Sequence, residues 1–301
     1  MGTRVRAGCA LTIVAVAVSG CGRIDFEPRA DGGGSADNTC WPSWRAHAVA
    51  PTVNVVPELM IGGDYLDPAL TKDALGMYFA STKASSVFQL YFATRTDRTQ
   101  AWSMPLAVTE FVSTHDEEKL SVTADGLLGV HASNPGSEFQ LYTSERASTT
   151  DPFGPRDNSL LANVDDQMYT FDPDLSADGL VLYYAPGSGM TQTIDRSTRA
   201  SRDDPFGVAQ LVLQATTGQI SLADPTVSPD ELVIVATIST ASDPGILAYS
   251  TRASTSDAFG ALVPIPGLNT AAQEGNGELS FDGCELFFTR DLMSIDVATV
   301  R

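Results

Sequence analysis

The stretch that decides the fold is Asp172-Pro173-Asp174-Leu175-Ser176-Ala177-Asp178-Gly179-Leu180-Val181-Leu182-Tyr183-Tyr184. An apolar residue, Leu175, ends one short strand. Ser176 and Asp178 flank a turn completed by Gly179, with hydroxyl and carboxylate placed to bond nearby backbone N–H groups. A dense apolar run, Leu180 to Tyr184, then reads as a second strand. The same unit returns four times, at Asp67, Lys119, Asp224 and Asn276. Its turn aspartates are Asp73, Asp125, Asp178, Asp230 and Asp282, separated by 52, 53, 52 and 52 residues. Two positions before each stands a hydroxyl: Thr71, Thr123, Ser176, Ser228 or Ser280.

Each unit continues alike. A third strand, such as Leu90-Tyr91-Phe92, ends on a recurring arginine: Arg95, Arg146, Arg199 or Arg252. An aromatic residue follows (Trp102, Phe153, Phe206, Phe259) at the entry to a fourth strand. Four short strands in a repeat of about fifty residues describe the blade of a β-propeller. The expectation is an all-β chain with one five-bladed propeller over residues 45–301, in repeats near 67–118, 119–171, 172–223, 224–275 and 276–301. The last repeat is too short for a fourth strand, and 45–56 belongs to no repeat. That segment is expected to supply the missing outer strand and so remove an open edge.

The unit resembles the PD40 or TolB-like (WD40-like) propeller repeat, in which a Ser-Pro-Asp-Gly turn precedes an apolar strand. The resemblance covers nearly all of the chain from Asp67 onward. It implies the fold, and says little of function because propellers host binders and enzymes alike.

The amino terminus carries Arg4 and Arg6, an apolar run from Ala10 to Val18, and Val18-Ser19-Gly20-Cys21. A charged start with a short apolar core reads as a secretory signal over 1–20. The final four residues resemble the lipobox of bacterial lipoproteins, which implies lipidation of Cys21 and, with Gly22 after it, sorting to the outer membrane. The glycine-rich stretch that follows predicts a flexible tether over 21–44. Cys40 and Cys284 remain as two thiols for an oxidising envelope, and a disulfide between them is expected.

Net charge is −19. Such a surface argues against nucleic acid, whose phosphates demand Lys and Arg, so no nucleic acid partner is expected, and it argues equally against electrostatic adhesion to anionic lipid. The lipid would be the only hold on the membrane. No Ser-His-Asp set, phosphate loop or cofactor fingerprint is present. Carboxylate-rich loops suit calcium, but no Asp-x-Asp-x-Asp spacing occurs, and no cofactor is expected. His47, His115 and His131 show no zinc spacing.

Residues repeated from unit to unit are scaffold, and a binding site is expected where the repeat is broken, so the turn units and the recurring arginines read as structural, the arginines neutralising turn aspartates of their own or a neighbouring blade. The residues starting the innermost strands, Asp67, Lys119, Asp172, Asp224 and Asn276, are expected to gather at one channel mouth as an acidic ring with one lysine. Because Asp-Pro recurs, the aspartates read first as turn caps whose repulsion Lys119 relieves, and second as a polar funnel for a cation, a sugar or a basic peptide. Two functions fit. The first is a non-enzymatic, monomeric, membrane-anchored scaffold that binds a protein, peptide or small ligand there, as the TolB-like resemblance implies. The alternative is a carbohydrate-active enzyme like the five-bladed glycoside hydrolases, using those carboxylates as acid and base.

Overall fold

The structure, a computed structural model, describes residues 39–301 except 137, 165–168 and 188–192. The leader over 1–20, Cys21 and the tether as far as residue 38 lie outside the described residues. Five small antiparallel sheets form a ring. Blade 1 holds strands Tyr65–Leu70, Gly76–Ser81, Gln89–Thr94 and Leu106–Ala107. Blade 2 holds Glu117–Val122, Leu128–Ser133 and Gln140–Glu145. Its fourth strand is reduced to one bridge between Thr143 and Asp157. Blade 3 holds Thr170–Leu175, Val181–Pro186, Thr193–Thr198 and Gln210–Gln214. Blade 4 holds Gln219–Val227, Val233–Thr240, Ile246–Thr251 and Val263–Pro264. Blade 5 takes Glu274–Leu279, Glu285–Arg290 and Ser294–Thr299 from the end of the chain. Its outer strand is Thr52–Val55, which pairs antiparallel from Thr52 opposite Thr299 to Val55 opposite Asp296.

The closing segment is shorter than 45–56, because the chain before Thr52 has another task. Residues Trp41–Arg45 form one helical turn, so the folded domain starts before the expected end of the tether at 44. Trp44 is wholly buried, and Cys40 is joined to Cys284 by a disulfide with Cα atoms 5.0 Å apart. Trp41 lies flat on Gly283, whose φ is +73°; a Cβ there would sit 2.8 Å from the indole, so only glycine fits.

The turn unit works as the sequence implies. Thr71 Oγ1 donates to Asp73 Oδ1 at 2.6 Å, and that carboxylate accepts the Leu75 N–H at 2.9 Å. The hydroxyl in turn accepts the Gly76 N–H at 2.7 Å. The recurring arginines, however, do not neutralise turn aspartates. Each donates Nε to the carbonyl one residue after the aspartate: Arg95 to Ala74, Arg146 to Gly126, Arg199 to Gly179 and Arg252 to Glu231, at 2.6–2.9 Å. All four acceptor residues have positive φ, the backbone form that turns their carbonyls toward the guanidinium. The guanidinium then lies 4.3–4.5 Å from the ring centre of Trp102, Phe153, Phe206 or Phe259, a stacking worth about 0.5–2 kcal/mol each. A different set of arginines reaches back to turn aspartates of the preceding blade: Arg98 to Asp282, Arg202 to Asp125, and Arg45 to Asp230.

Blade 5 has no such arginine. Val300 N–H bonds the Cys284 carbonyl as Arg252 N–H bonds that of Leu232, so Val300 occupies the arginine position. The orphaned turn carbonyl, Gly283, accepts the Trp44 indole N–H at 2.8 Å instead. The N-terminal turn thus replaces both the missing guanidinium and its aromatic partner.

Candidate functional site at the channel mouth

The five ring positions share one backbone state. Asp67, Lys119, Asp172, Asp224 and Asn276 have φ of 52°, 29°, 55°, 52° and 55°. In each innermost strand the register shifts at this point, a β-bulge repeated five times. A bulge re-aims a side chain, and Asp and Asn tolerate the left-handed region better than most residues. Lysine does not, and Lys119 is held there by its neighbours at a cost of about 1–3 kcal/mol.

The structure brings all five together, in a ring more buried than an open mouth would be. Lys119 is 0% exposed, the three aspartates are buried, and only Asn276 is half-buried. Their first task is to tie blades to one another. Asp172 Oδ2 accepts the Asp224 N–H at 3.1 Å, and Asp224 Oδ2 accepts the Asn276 N–H at 2.9 Å. Asp67 likewise accepts the Lys119 N–H. Asn276 Nδ2 closes the circle by donating to Asp67 Oδ1 at 2.8 Å and Asp224 Oδ1 at 3.2 Å.

A second polar layer lies two residues further along each strand: Ala69, Ser121, Asp174, Thr226 and Glu278. Four of these repeat the same device on the next blade. Ser121 caps the Leu175 N–H at 2.9 Å, Asp174 that of Val227 at 2.8 Å, Thr226 that of Leu279 at 3.1 Å, and Glu278 that of Leu70 at 3.3 Å. Ala69 has no polar atom in its side chain to accept such a bond. Sequence reasoning missed this layer, although the signal is present: polar residues alternate with the ring positions along strands that should be apolar on both sides.

The electrostatics follow from the packing. Lys119 Nζ stands 3.6 Å from Glu278 Oε2 and has no hydrogen-bond acceptor. Burial alone would disfavour its charge, but Glu278, Asp67, Asp224 and Asp172 outweigh that and hold its pKa above the ordinary value. Burial, with the neighbouring Asp224, pushes Asp67 up to about 7. Asp172 is raised well above the usual carboxylate range by burial and then by Asp224 and Asp67. Burial pushes Glu278 up to about 7 against the pull of Lys119. Glu118, half-buried beside the ring, is raised by burial and by Asp67, Asp116 and Asp224; it belongs to the mouth, where the segment 115–119 was expected to lie.

One oxygen from each of Asp67, Asp172 and Asp224 lies within 4.8 Å of the other two. Calcium binds oxygens at about 2.3–2.6 Å, so three oxygens so spaced fit around one ion, with water completing the shell. Among the described residues no other such group occurs. His131 is a packed strand histidine: burial, then Arg156, lowers it to about 3, and it is neutral at pH 7.

The raised carboxyls make a signed prediction. Below about pH 4 Asp67 is protonated whether folded or not. Between 4 and 7 the unfolded chain ionises while the folded ring keeps its proton, so stability falls as pH rises, and above 7 the penalty is complete. Asp67→Asn removes this penalty. In chelator, urea melts should show it more stable than the parent by about 2–4 kcal/mol at pH 8 and no more stable at pH 4. Equal effects at both pH values would mean that the carboxyl is ionised in the fold.

A small cavity, about 300 Å³ including its solvent-open part, opens among blades 3, 4, 5 and 1, lined by Lys72, Asp174, Thr226, Pro229, Glu278 and Phe281. Lys72 Nζ approaches Asp174 Oδ1 at 3.8 Å.

No family model and no curated protein matches the sequence. Solved structures do match. The catalytic domain of the GH62 α-L-arabinofuranosidase of Coprinopsis cinerea is 13% identical over 84% of this chain and 96% of its own, with a TM-score of 0.56. The endo-arabinase of Bacteroides thetaiotaomicron is 13% identical over 81% of this chain and 96% of its own, with a TM-score of 0.55. TolB from Acinetobacter baumannii is 14% identical over 79% of this chain but only 55% of its own, with a TM-score of 0.49. At such identities the likeness is one of fold, and the fold is that of a five-bladed β-propeller.

Proposed function

We propose that this chain is a non-enzymatic envelope lipoprotein, anchored through Cys21, whose propeller receives a cationic group of a protein, peptide or small ligand at the acidic mouth. The observation behind the reading is the convergence of Asp67, Asp172 and Asp224, with Glu118 beside them, on one end of the channel. Buried carboxylates that face one another raise each other's pKa, and a cation entering the mouth would relieve them. The anchor rests on the Val18-Ser19-Gly20-Cys21 motif.

The glycosidase-named neighbours supply the alternative reading, a carbohydrate-active enzyme. Hydrogen bonding speaks against it, because all three carboxylates accept hydrogen bonds within the ring. They also occupy equivalent positions, whereas acid and base need unlike settings.

Titration calorimetry tests the proposal, with calcium chloride, a lysine-rich peptide and arabinan oligosaccharides as probes. The parent is expected to bind calcium or the peptide, and Asp172→Asn/Asp224→Asn to lose that binding. Hydrolysis of an arabinan by the parent, absent in the double variant, would overturn it in favour of the enzyme. No binding of either cation would overturn it as well.

A further inference from the structure

The outer edges of the five blades are not alike. Four carry proline in or beside the outer segment: Pro105 before Leu106–Ala107, Pro155 near Asp157, Pro264 within Val263–Pro264, and Pro51 and Pro57 around Thr52–Val55. Proline and short length are the ordinary protections of a sheet edge. Blade 3 has neither, and its only such device among the described residues is a bulge at Val212. Its outer strand, Gln210–Gln214, is the longest of the five, contains no proline, and lies in a run without a single charge between Asp204 and Asp224. This happens in a chain of net charge −19. Leu211 is 60% exposed on that edge, and Val208 just before it is 80% exposed. Among the described residues no strand pairs with its outer side.

The sequence of this edge reads the same in both directions: Ala209-Gln210-Leu211-Val212-Leu213-Gln214-Ala215. An antiparallel pair made by a two-fold axis through Val212 would set Val212 against Val212, Leu211 against Leu213, Gln210 against Gln214 and Ala209 against Ala215. Every residue would face its own kind or a residue of the same type, with no charge opposed. A two-fold interface requires such self-complementarity, and charged edges of unlike composition would resist it. In its own blade Val212 forms a bulge: Leu211 pairs with Asp195 and Leu213 with Ile194, leaving Val212 without a partner.

We infer that the outer edge of blade 3 is a self-association surface, whose partner is a second copy of this chain paired antiparallel about Val212. The sequence alone gave the expectation of a monomer. One strand pair buries less than a standard interface of about 1,200–2,000 Å², so the dimer belongs to the weak, transient class. Anchoring to a common surface would raise its effective concentration. The surface is separate from the channel mouth and stands whether or not the mouth binds a cation.

The test uses the full chain with Cys9→Ser and Cys21→Ser, so that no other free thiol competes. Val212→Cys places one thiol on the axis, facing its own copy. Under mild oxidation it should form a disulfide-linked dimer at least about tenfold faster than Met293→Cys, an exposed site on blade 5. Sedimentation equilibrium should show concentration-dependent dimer in the parent, lost in Leu211→Lys but kept in Val263→Lys, which serves as the control on blade 4. A parent that stays monomeric in the hundred-micromolar range overturns the inference, as does a dimer indifferent to Leu211→Lys. A dimer sensitive to Leu211→Lys but without preferential Val212→Cys linkage overturns the two-fold pairing. Capture of a strand from another protein instead of a second copy would do the same.

Discussion

Replacing Cys40 and Cys284 together with serine is expected to lower the unfolding free energy by about 4–5 kcal/mol, because the bond closes a loop of 244 residues in the unfolded chain. For a domain of this size that is roughly 10–15 °C in Tm. The bond holds more than two sulfurs. It fixes the turn Trp41–Arg45 over Gly283, where Trp44 satisfies the carbonyl that an arginine satisfies in every other blade. Once that turn peels away, the strand Thr52–Val55, with Val56 and Leu59 packed behind it, is left to keep the last blade closed. Scanning calorimetry with and without reductant checks this. The reduced parent should melt with the serine double variant, and a shift under about 2 °C would mean that strand pairing alone closes the ring.

The second large effect is expected at Lys119. Among the described residues its ammonium is the only fully buried cation within reach of Asp67, Asp172 and Asp224, and it also faces Glu278. Lys119→Met keeps the volume and leaves the carboxylates unbalanced. Removing one partner of a buried ion pair costs about 3–5 kcal/mol, and that loss is expected at pH 8. The dependence on pH comes from the carboxyls, since Lys119 is charged both folded and unfolded below its ordinary pKa. As pH falls through about 7, Asp67 and Glu278 take up protons, and the missing ammonium matters less. Urea melts should therefore show a loss at pH 5 well below that at pH 8. Equal losses would mean that Lys119 acts through its aliphatic stem alone.

Much of this fold is written locally. The Ser/Thr-x-Asp-Gly turn and its flanking apolar runs determine each hairpin, and the period of about fifty-two residues counts the blades. The truncated last repeat discloses that the chain closes on itself. The ring positions were also legible, because an Asp before Pro in three of five repeats marks a special backbone site. What they do was legible only in part: capping by the aspartates and charge relief by Lys119 were expected, but not that the capped N–H groups belong to the next blade. Whether a carboxylate at Asp172 meets water or the Asp224 N–H depends on how tightly five bladed wedges close around the axis, and no single repeat contains that distance. The arginines were misread for a related reason. An arginine and an aspartate at matching repeat positions invite pairing by charge, yet the left-handed residue between them offers Arg199 the Gly179 carbonyl in a better place. Glu278 and Asp174 escaped notice because they vary from blade to blade, although their common task of capping the neighbouring strand does not.

Drawing the outer strand of blade 5 from Thr52–Val55 also dictates an order of events at birth. A chain that emerges amino end first delivers the clasp long before its partners, Cys284 and Ser294–Thr299, exist outside the exit. Blades 1 to 4 are each built from consecutive residues and can form as they arrive. The ring cannot be sealed until the last few residues have emerged, and until then the clasp must wait with its tryptophans uncovered. Any factor that escorts this chain would find its substrate in that interval, at the first folded residues and not the last.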